Sequence, residues 1–325
     1  MSWAFLAVSI WGAAFTVNAH WPRKPRSYFL VPSFFAGWVT GELAAHHLSW
    51  QAAATAVFVA FGALDAWPGW VGLGITLAPW AGLLALVASS RRSATEVDAA
   101  IAGALGAAPE PERGRLPRLP LMIPFLLRDR RVKVARNLRY AEGAGRRHLL
   151  DVYGPREGTS GAPVLLQVHG GGWTVGNKRQ QALPLVMHMA ARGWVVVAIN
   201  YRLSPKSTFP AHIEDVKRSI AWIREHIADH GGDPDFVCIT GGSAGGHLTA
   251  LAALTPNDPE YQPGFEQVDT SLRAAVPFYG VYDWTNRGRH GRGRDGLGGF
   301  IERIVLKRRF DDDPAAFERG SPCAG

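Results

Sequence analysis

The sequence predicts an α/β domain with a mostly parallel sheet, preceded by an N-terminal helical membrane region. Three observations carry that expectation. From residue 132 onward, short β-branched runs alternate with helical stretches, the texture of a parallel sheet buried on both faces. Two of those runs end in glycine-rich turns, His169-Gly170-Gly171-Gly172-Trp173 and Gly241-Gly242-Ser243-Ala244-Gly245. Residues 1–89, by contrast, are dominated by apolar side chains, Trp and Gly.

In chain order, residues 3–19 form a first apolar run. It lacks a basic leader and further apolar segments follow, so a membrane span fits better than a signal peptide. Residues 70–88 form a second span, followed by Arg91 and Arg92. Between them, residues 29–64 are too long for one straight span and are interrupted by Glu42, His46 and His47. They read as a tilted span with an interfacial piece or as a helical hairpin, with the polar residues in a wet loop at the membrane edge. Arg23, Lys24 and Arg26 follow the first span. Placing both basic clusters in the cytoplasm requires about three crossings, with the N-terminus outside and the α/β domain in the cytoplasm. A hairpin at residues 29–64 would reverse that orientation.

The expected layout is a multi-pass membrane region over residues 1–90, a linker over 91–130 and the α/β domain over 131–325. Within the linker, residues 94–105 can form one helix, and Pro109, Pro111, Pro117, Pro120 and Pro124 forbid much more. Apolar residues 119–127 followed by Arg128, Arg130, Arg131 and Lys133 suit an anionic membrane surface; the alternative is a solvated linker.

Composition narrows the partners. The 325-residue chain carries a formal charge of +8 and two cysteines. Cys238 lies in an apolar run and Cys323 near the end, which gives neither a disulfide framework nor metal-ligand spacing. No metal or cofactor is expected. The basic excess lies between residues 91 and 160, with no helix-turn-helix, RNP or zinc pattern beside it. A membrane surface is therefore the expected partner rather than nucleic acid.

Within the α/β domain, residues 132–140 and 147–153 read as opening antiparallel strands. Residues 164–169, 194–201, 236–239 and 274–280 read as buried strands, and 212–230 as an amphipathic helix ended by Gly231 and Gly232. A Gly-x-Ser-x-Gly turn between strand and helix is a nucleophile elbow. It puts Ser243 at the strand's carboxyl end, at a helix N-terminus that favours a developing oxyanion. Glycines after residue 169 let backbone N–H groups approach a substrate oxygen unobstructed.

Together with Asn200-Tyr201-Arg202-Leu203-Ser204-Pro205, Phe209-Pro210-Ala211 and Asp215, these motifs resemble the hormone-sensitive-lipase group of carboxylesterases. The three-span N-terminus resembles its membrane-anchored actinobacterial members. The resemblance implies the α/β-hydrolase fold, an ester or lipid substrate, and Ser243 as the acyl-accepting nucleophile. By the same motifs, the N–H groups of Gly170, Gly171 and Ala244 match the oxyanion hole. His169 and Gly172 shape the loop, Gly241 and Gly245 flank the serine, and Trp173 lines the acyl or alcohol pocket.

The fold also calls for an acid and then a His after the serine. No His-Gly-x-x-Asp-like or late Gly-x-x-His stretch follows Trp284. The expectation is a C-terminally truncated hydrolase domain lacking its last strands and impaired in catalysis. Asp283 and His290 stand in the right order, but Asp283 reads better as a turn cap. His247 reads as structural, and His212 and Asp215 as packing near a helix start. Two alternatives stay open: a non-catalytic, membrane-anchored remnant or binding module, and an amidase of the arylformamidase type.

Overall fold

The computed structural model describes residues 1–22, 30–106, 128–285 and 297–324. The basic cluster Arg23, Lys24 and Arg26, the proline-rich stretch with residues 119–127, and His290 lie outside the described residues. The chain divides into two compact units, Met1–Leu116 and Pro117–Gly325.

The first unit is helical: α1 Ser2–His20, α2 Leu30–Glu42, α3 Ala44–Ala60 and α4 Trp67–Leu105. By length and composition, α1 and α4 could cross a membrane. Contacts order the helices. Phe5 stacks on Phe58 with centroids 5.4 Å apart, Gly12 faces Gln51, and Asn18 Nδ2 donates to the Ser33 carbonyl at 2.6 Å. The partner number falls as α1 advances, so α3 and α2 run antiparallel along it as one broken helix. Helical bonds Leu43 N–H to Val39 O and His47 N–H to Leu43 O bridge the break. Residues 29–64 are thus not a hairpin of two mutually packed helices in the described structure. Along α4, Gly72 abuts Leu6, Thr76 Oγ1 donates to Ser9 Oγ at 2.8 Å, and Gly82 abuts Thr16. Helix α4 therefore runs parallel to α1. The helix expected separately over residues 94–105 is the continuation of α4, which also tolerates Pro79 in its interior.

The second unit is built on a six-stranded sheet of order β1-β2-β4-β3-β5-β6. Its strands are β1 Val132–Arg139, β2 Leu149–Pro155, β3 Ala162–Val168, β4 Val195–Ile199, β5 Gly232–Gly242 and β6 Ala274–Phe278. Strands β1 and β2 pair antiparallel, β2 joins β4 antiparallel, and β4, β3, β5 and β6 run parallel. On β4, Val195, Val197 and Ile199 enter one apolar cluster while Val196 and Ala198 enter another. Both faces are covered, which is why the run carries no polar alternation.

Three helices fill those faces: α5 Leu183–Ala190, α6 Ala211–His226 and α7 Ala244–Leu254. Val186 and Ala190 of α5 bury against Val196 and Ala198. Ile213, Val216, Ile220 and Ile223 of α6, spaced at helical intervals, are fully buried on the other side. The predicted stop follows, as Ile227–His230 tightens to a 3₁₀ turn and Gly231 takes φ 85°.

Beyond β6 no further strand follows among the described residues, and that edge is apolar and open. Val276, Phe278 and Tyr279 are 52, 47 and 66% exposed. The C-terminal stretch is not a loose tail. Helix α8 Leu297–Phe300 continues as a π-turn over Ile301–Leu306, and α9 Pro314–Arg319 follows. Ile301, Val305 and Phe317 are buried, Phe209 N–H donates to Val305 O, and Cys323 N–H to Tyr282 O.

Candidate active site

The elbow follows from close packing at the carboxyl ends of β3 and β5. Ser243 takes φ 56° and ψ −120° between β5 and α7, a conformation that costs a residue with a Cβ on the order of 1–3 kcal/mol. Neighbouring glycines permit it. A Cβ on Gly241 would lie 2.6 Å from Val168 O and from Gly245 O, and one on Gly245 2.2 Å from Val168 O. Ser243 N–H donates to Phe278 O at 3.0 Å, which fixes the turn against β6. The serine side chain is half-buried, and among the described residues nothing hydrogen-bonds its Oγ.

The loop after β3 closes directly on this turn. A Cβ on Gly170 would sit 2.5 Å from Gly242 O and 3.3 Å from Ser243 Cβ. Gly171 and Gly172 take φ 122° and 57°, conformations that glycine adopts without strain. Ala244 opens α7, so its N–H has no intrahelical acceptor. The loop thus lies against Ser243. The Gly170 N–H, however, is already engaged: it donates to Gln181 Oε1 at 2.7 Å.

Trp173 is a core residue in this structure. It is 1% exposed and takes φ 58°. Its indole packs edge-on against His247 and Trp284, and Nε1–H donates to His247 Nδ1 at 3.3 Å. The left-handed backbone after two glycines rotates the side chain into the core.

His169 shapes the loop from beneath. It stacks on Tyr201 at 4.4 Å, and its Nδ1 lies 2.8 Å from Gly170 O. Burial pushes its imidazole down to about 4, and its Nε2 has no partner among the described residues. His247 is fully buried and held to about 4 by burial, with Nε2 2.7 Å from Gly320 O. Burial likewise lowers His212 to about 3, and its Nε2 lies 3.2 Å from Ser204 Oγ. Burial favours the neutral form of all three imidazoles, and among the described residues none hydrogen-bonds Ser243 Oγ.

Asp215 also belongs to the scaffold. Burial raises its carboxyl, but His148 at 3.1 Å and the Arg202 guanidinium at 2.7 Å outweigh that and hold it below the ordinary range. Asp283 caps a turn, accepting from Thr285 N–H and Oγ1 at 2.8 and 2.6 Å. Among the described residues no group of three or more His, Cys, Asp or Glu side chains is arranged to hold a metal ion.

Sequence reasoning missed the support behind the loop. Asp151, on β2, is buried and takes Arg179 Nε at 2.6 Å, Lys178 Nζ at 3.3 Å and the Asn137 N–H at 2.8 Å. Burial raises its carboxyl, and these donors outweigh that to leave it lowered. Lys178 N–H donates to Asn200 Oδ1 at 2.8 Å and Arg147 Nη1 to Gly176 O at 3.0 Å. The network pins residues 176–179 and thereby places Gln181. The signal was weak: Asp151 sits in a strand buried on both faces, where its carboxylate has no visible sequence partner, and Gln181 belongs to no motif.

Comparison with known proteins places the second unit among esterases. Residues 150–323 match the protein family described as BD-FAE. Esterase LipQ of Mycobacterium tuberculosis is 54% identical over 180 residues, covering 55% of this chain and 42% of LipQ. The probable carboxylic ester hydrolase LipM of the same organism is 67% identical over 127 residues, covering 39% of this chain and 30% of LipM. Esterase LipC is 43% identical over 198 residues, covering 60% of this chain and 48% of LipC. The chain spans less than half the length of each of these relatives. A solved truncated carbohydrate esterase from gut microbiota superposes with TM-score 0.52 at 25% identity, covering 59% of this chain and 72% of that one. The chain carries the α/β-hydrolase fold and belongs to the BD-FAE family, whose match takes in more than half of it.

Proposed function

We propose that this chain carries the nucleophile and oxyanion side of a membrane-tethered serine carboxylesterase site. The observation that carries the reading is Ser243 on its strained elbow with the Gly170 loop packed against its Cβ. The named esterase relatives support the substrate class. In this reading Ser243 Oγ attacks the ester carbonyl carbon. The carbonyl oxygen takes up negative charge facing the N–H groups of Gly170, Gly171 and Ala244, and the alcohol departs to leave acyl-Ser243. Water then releases the acid.

Among the described residues no imidazole is hydrogen-bonded to Ser243 Oγ, and in this reading those residues alone support only weak hydrolysis. Oxyanion and binding terms alone leave about 10³–10⁴-fold acceleration over water. The substrate is an ester or lipid, with no nucleic acid and no cofactor. The first unit is the anchor: α1, the broken α2–α3 helix and α4 cross a membrane, with the α/β unit in the cytoplasm. The alternation of α1, the antiparallel α2–α3 path and the parallel α4 supports three crossings, and the cytoplasmic side rests on the basic clusters alone.

The test is stoichiometric acylation. Full-length chain in detergent is incubated with p-nitrophenyl acetate and digested, and the peptide bearing Ser243 is weighed. Acetyl on Ser243, absent from Ser243→Ala, is expected; acetyl distributed over lysines with Ser243 untouched would sink the reading.

A further inference from the structure

We infer that the first unit holds a binding site for one neutral glycerolipid, its uncharged, hydroxyl-bearing head seated between α1 and α3. The inference rests on the reading of this unit as a membrane anchor and not on the assignment of Ser243. A cavity of about 170 Å³ lies between these two helices and is bounded by Thr76 of α4. Cavities of about 150 Å³ accept a group the size of benzene, and a glyceryl head has as many heavy atoms. Gly12 makes the room. A Cβ there would point at the Gln51 amide, with Cδ and Nε2 both 3.5 Å away.

A line of hydrogen-bonding groups interrupts the apolar walls. His47, Gln51 and Thr55 recur every fourth residue, which puts them on one face of α3, and all three line the cavity with Ser9 and Thr76. The two hydroxyls opposite have spent their protons: Ser9 Oγ donates to Phe5 O and Thr76 Oγ1 to Ser9 Oγ, both at 2.8 Å. The Gln51 amide and the His47 imidazole are half-buried and make no hydrogen bond among the described residues. Both side chains carry a donor and an acceptor. Gln51 faces Gly12, well inside a helix that runs from Ser2 to His20, about 12–15 Å from either end. At that depth no water is at hand to satisfy an amide, and a polar group kept there marks a functional position.

Charge and surroundings select the occupant. No Asp, Glu, Lys or Arg lines the cavity among the described residues. A phosphate or ammonium head would lose its water there and gain no counter-charge, which costs far more than burying a hydroxyl. The rim is apolar. Trp11 and Trp50 are each 69% exposed and Val8 is 47% exposed, so in a bilayer the mouth opens sideways onto acyl chains. A ligand that arrives through hydrocarbon, presents hydroxyl and ester carbonyl groups and carries no charge is a mono- or diacylglycerol. Its head pairs with Gln51 and His47, and its chain leaves along the Trp11 and Trp50 rings.

The experiment uses full-length chain in phosphatidylcholine vesicles containing a monoacylglycerol with a diazirine at the head end of its acyl chain. Irradiation and digestion should place saturable label on the α1 and α3 peptides around Gly12 and Gln51. Unlabelled monoacylglycerol should compete, and phosphatidylglycerol should not. Gly12→Leu fills the cavity and Gln51→Leu removes the amide, and neither breaks a hydrogen bond made within the described structure. Both variants should therefore stay in the carbonate-washed pellet. Gln51→Leu should cut saturable labelling about fivefold, the worth of one net hydrogen bond, and Gly12→Leu should abolish it. Label spread evenly over lipid-facing residues, labelling indifferent to both substitutions, or equal competition by phosphatidylglycerol or hexadecanol overturns the inference and leaves the anchor standing. Release of the parent chain by carbonate overturns the anchor reading and the site with it.

Discussion

Gly245→Ala is the sharpest test of how the elbow is held. A Cβ there would lie 2.2 Å from Val168 O and 2.8 Å from both the carbonyl carbon and oxygen of His169. All three are backbone atoms at the end of β3, a strand paired on both sides by β4 and β5. No flexible side chain can give way, so helix α7 must lift off the sheet. Overpacking typically costs about 1–3 kcal/mol, and a rigid clash of this depth belongs at about 3. For a unit of this size that lowers the unfolding midpoint by about 6–12 °C.

Two other glycines calibrate the scale. At Gly154 the nearest atom to an added Cβ is Val195 Cγ2 at 3.9 Å, so Gly154→Ala should stay within about 0.5 kcal/mol of the parent. Gly143 has open space but φ 92°, and there alanine should cost about 1–2 kcal/mol from backbone strain alone. Scanning the intrinsic tryptophan fluorescence of the three variants in detergent gives the order directly. A Gly245→Ala chain that melts within a degree of Gly154→Ala would refute the packing of elbow against β3, and with it the placement of Ser243.

Acidification and membrane extraction test two other parts of the chain. His169, His212 and His247 have folded-state values of about 4, 3 and 4, all below the ordinary 6.5. The unfolded chain therefore binds protons that the folded chain refuses, so stability is fully present above pH 6.5 and is lost as pH falls towards 4. Each imidazole contributes a slope of about 1.4 kcal/mol per pH unit. Chemical unfolding of His247→Gln between pH 6.5 and pH 4.5 should show a slope smaller by about one proton; an unchanged slope would contradict the burial of His247. For the first unit, carbonate washing of membranes should leave the full chain in the pellet and release a chain beginning near Arg128. Full-length chain in the supernatant would reject the anchor.

What the sequence disclosed follows from where the information is local. The elbow was legible because backbone contacts at Gly241 and Gly245 forbid a side chain, and that prohibition is written in single residues. Strand β4 was legible because five consecutive residues are buried on two faces. The packing of Trp173 was not legible because its direction depends on φ 58° set by the turn, and indole suits a core as well as a pocket. Gln181 and Asp151 were invisible because their partners lie 11 and 28 residues away, at Gly170 and Arg179, across loop geometry that no periodicity encodes. The broken helix of residues 29–64 was ambiguous for the same reason: hairpin and single path differ only in which residues of α1 they touch.

In the proposed site, the geometry of the serine and proton transfer are separable, and the separation has a thermodynamic signature. The contacts that hold Ser243 in place come from backbone at Val168, Gly170, Gly245, His247 and, on β6, Phe278, and none of them is an acidic or basic side chain. The elbow can therefore form whether or not a base is within reach. Its φ of 56° is still a strain that a side chain must bear, on the order of 1–3 kcal/mol. Ser243→Gly relieves it, at a cost of about 0.4–1 kcal/mol in extra freedom of the unfolded chain. The net expectation is a gain of about 1 kcal/mol, or about 2–4 °C in the unfolding midpoint for a unit of this size. Ser243→Ala keeps the Cβ and the strain, so it should gain nothing. A stability gain on removing the side chain is what a residue kept for chemistry rather than packing produces. Equal midpoints for Ser243→Gly and Ser243→Ala would mean the elbow is relaxed and the serine held there by ordinary packing.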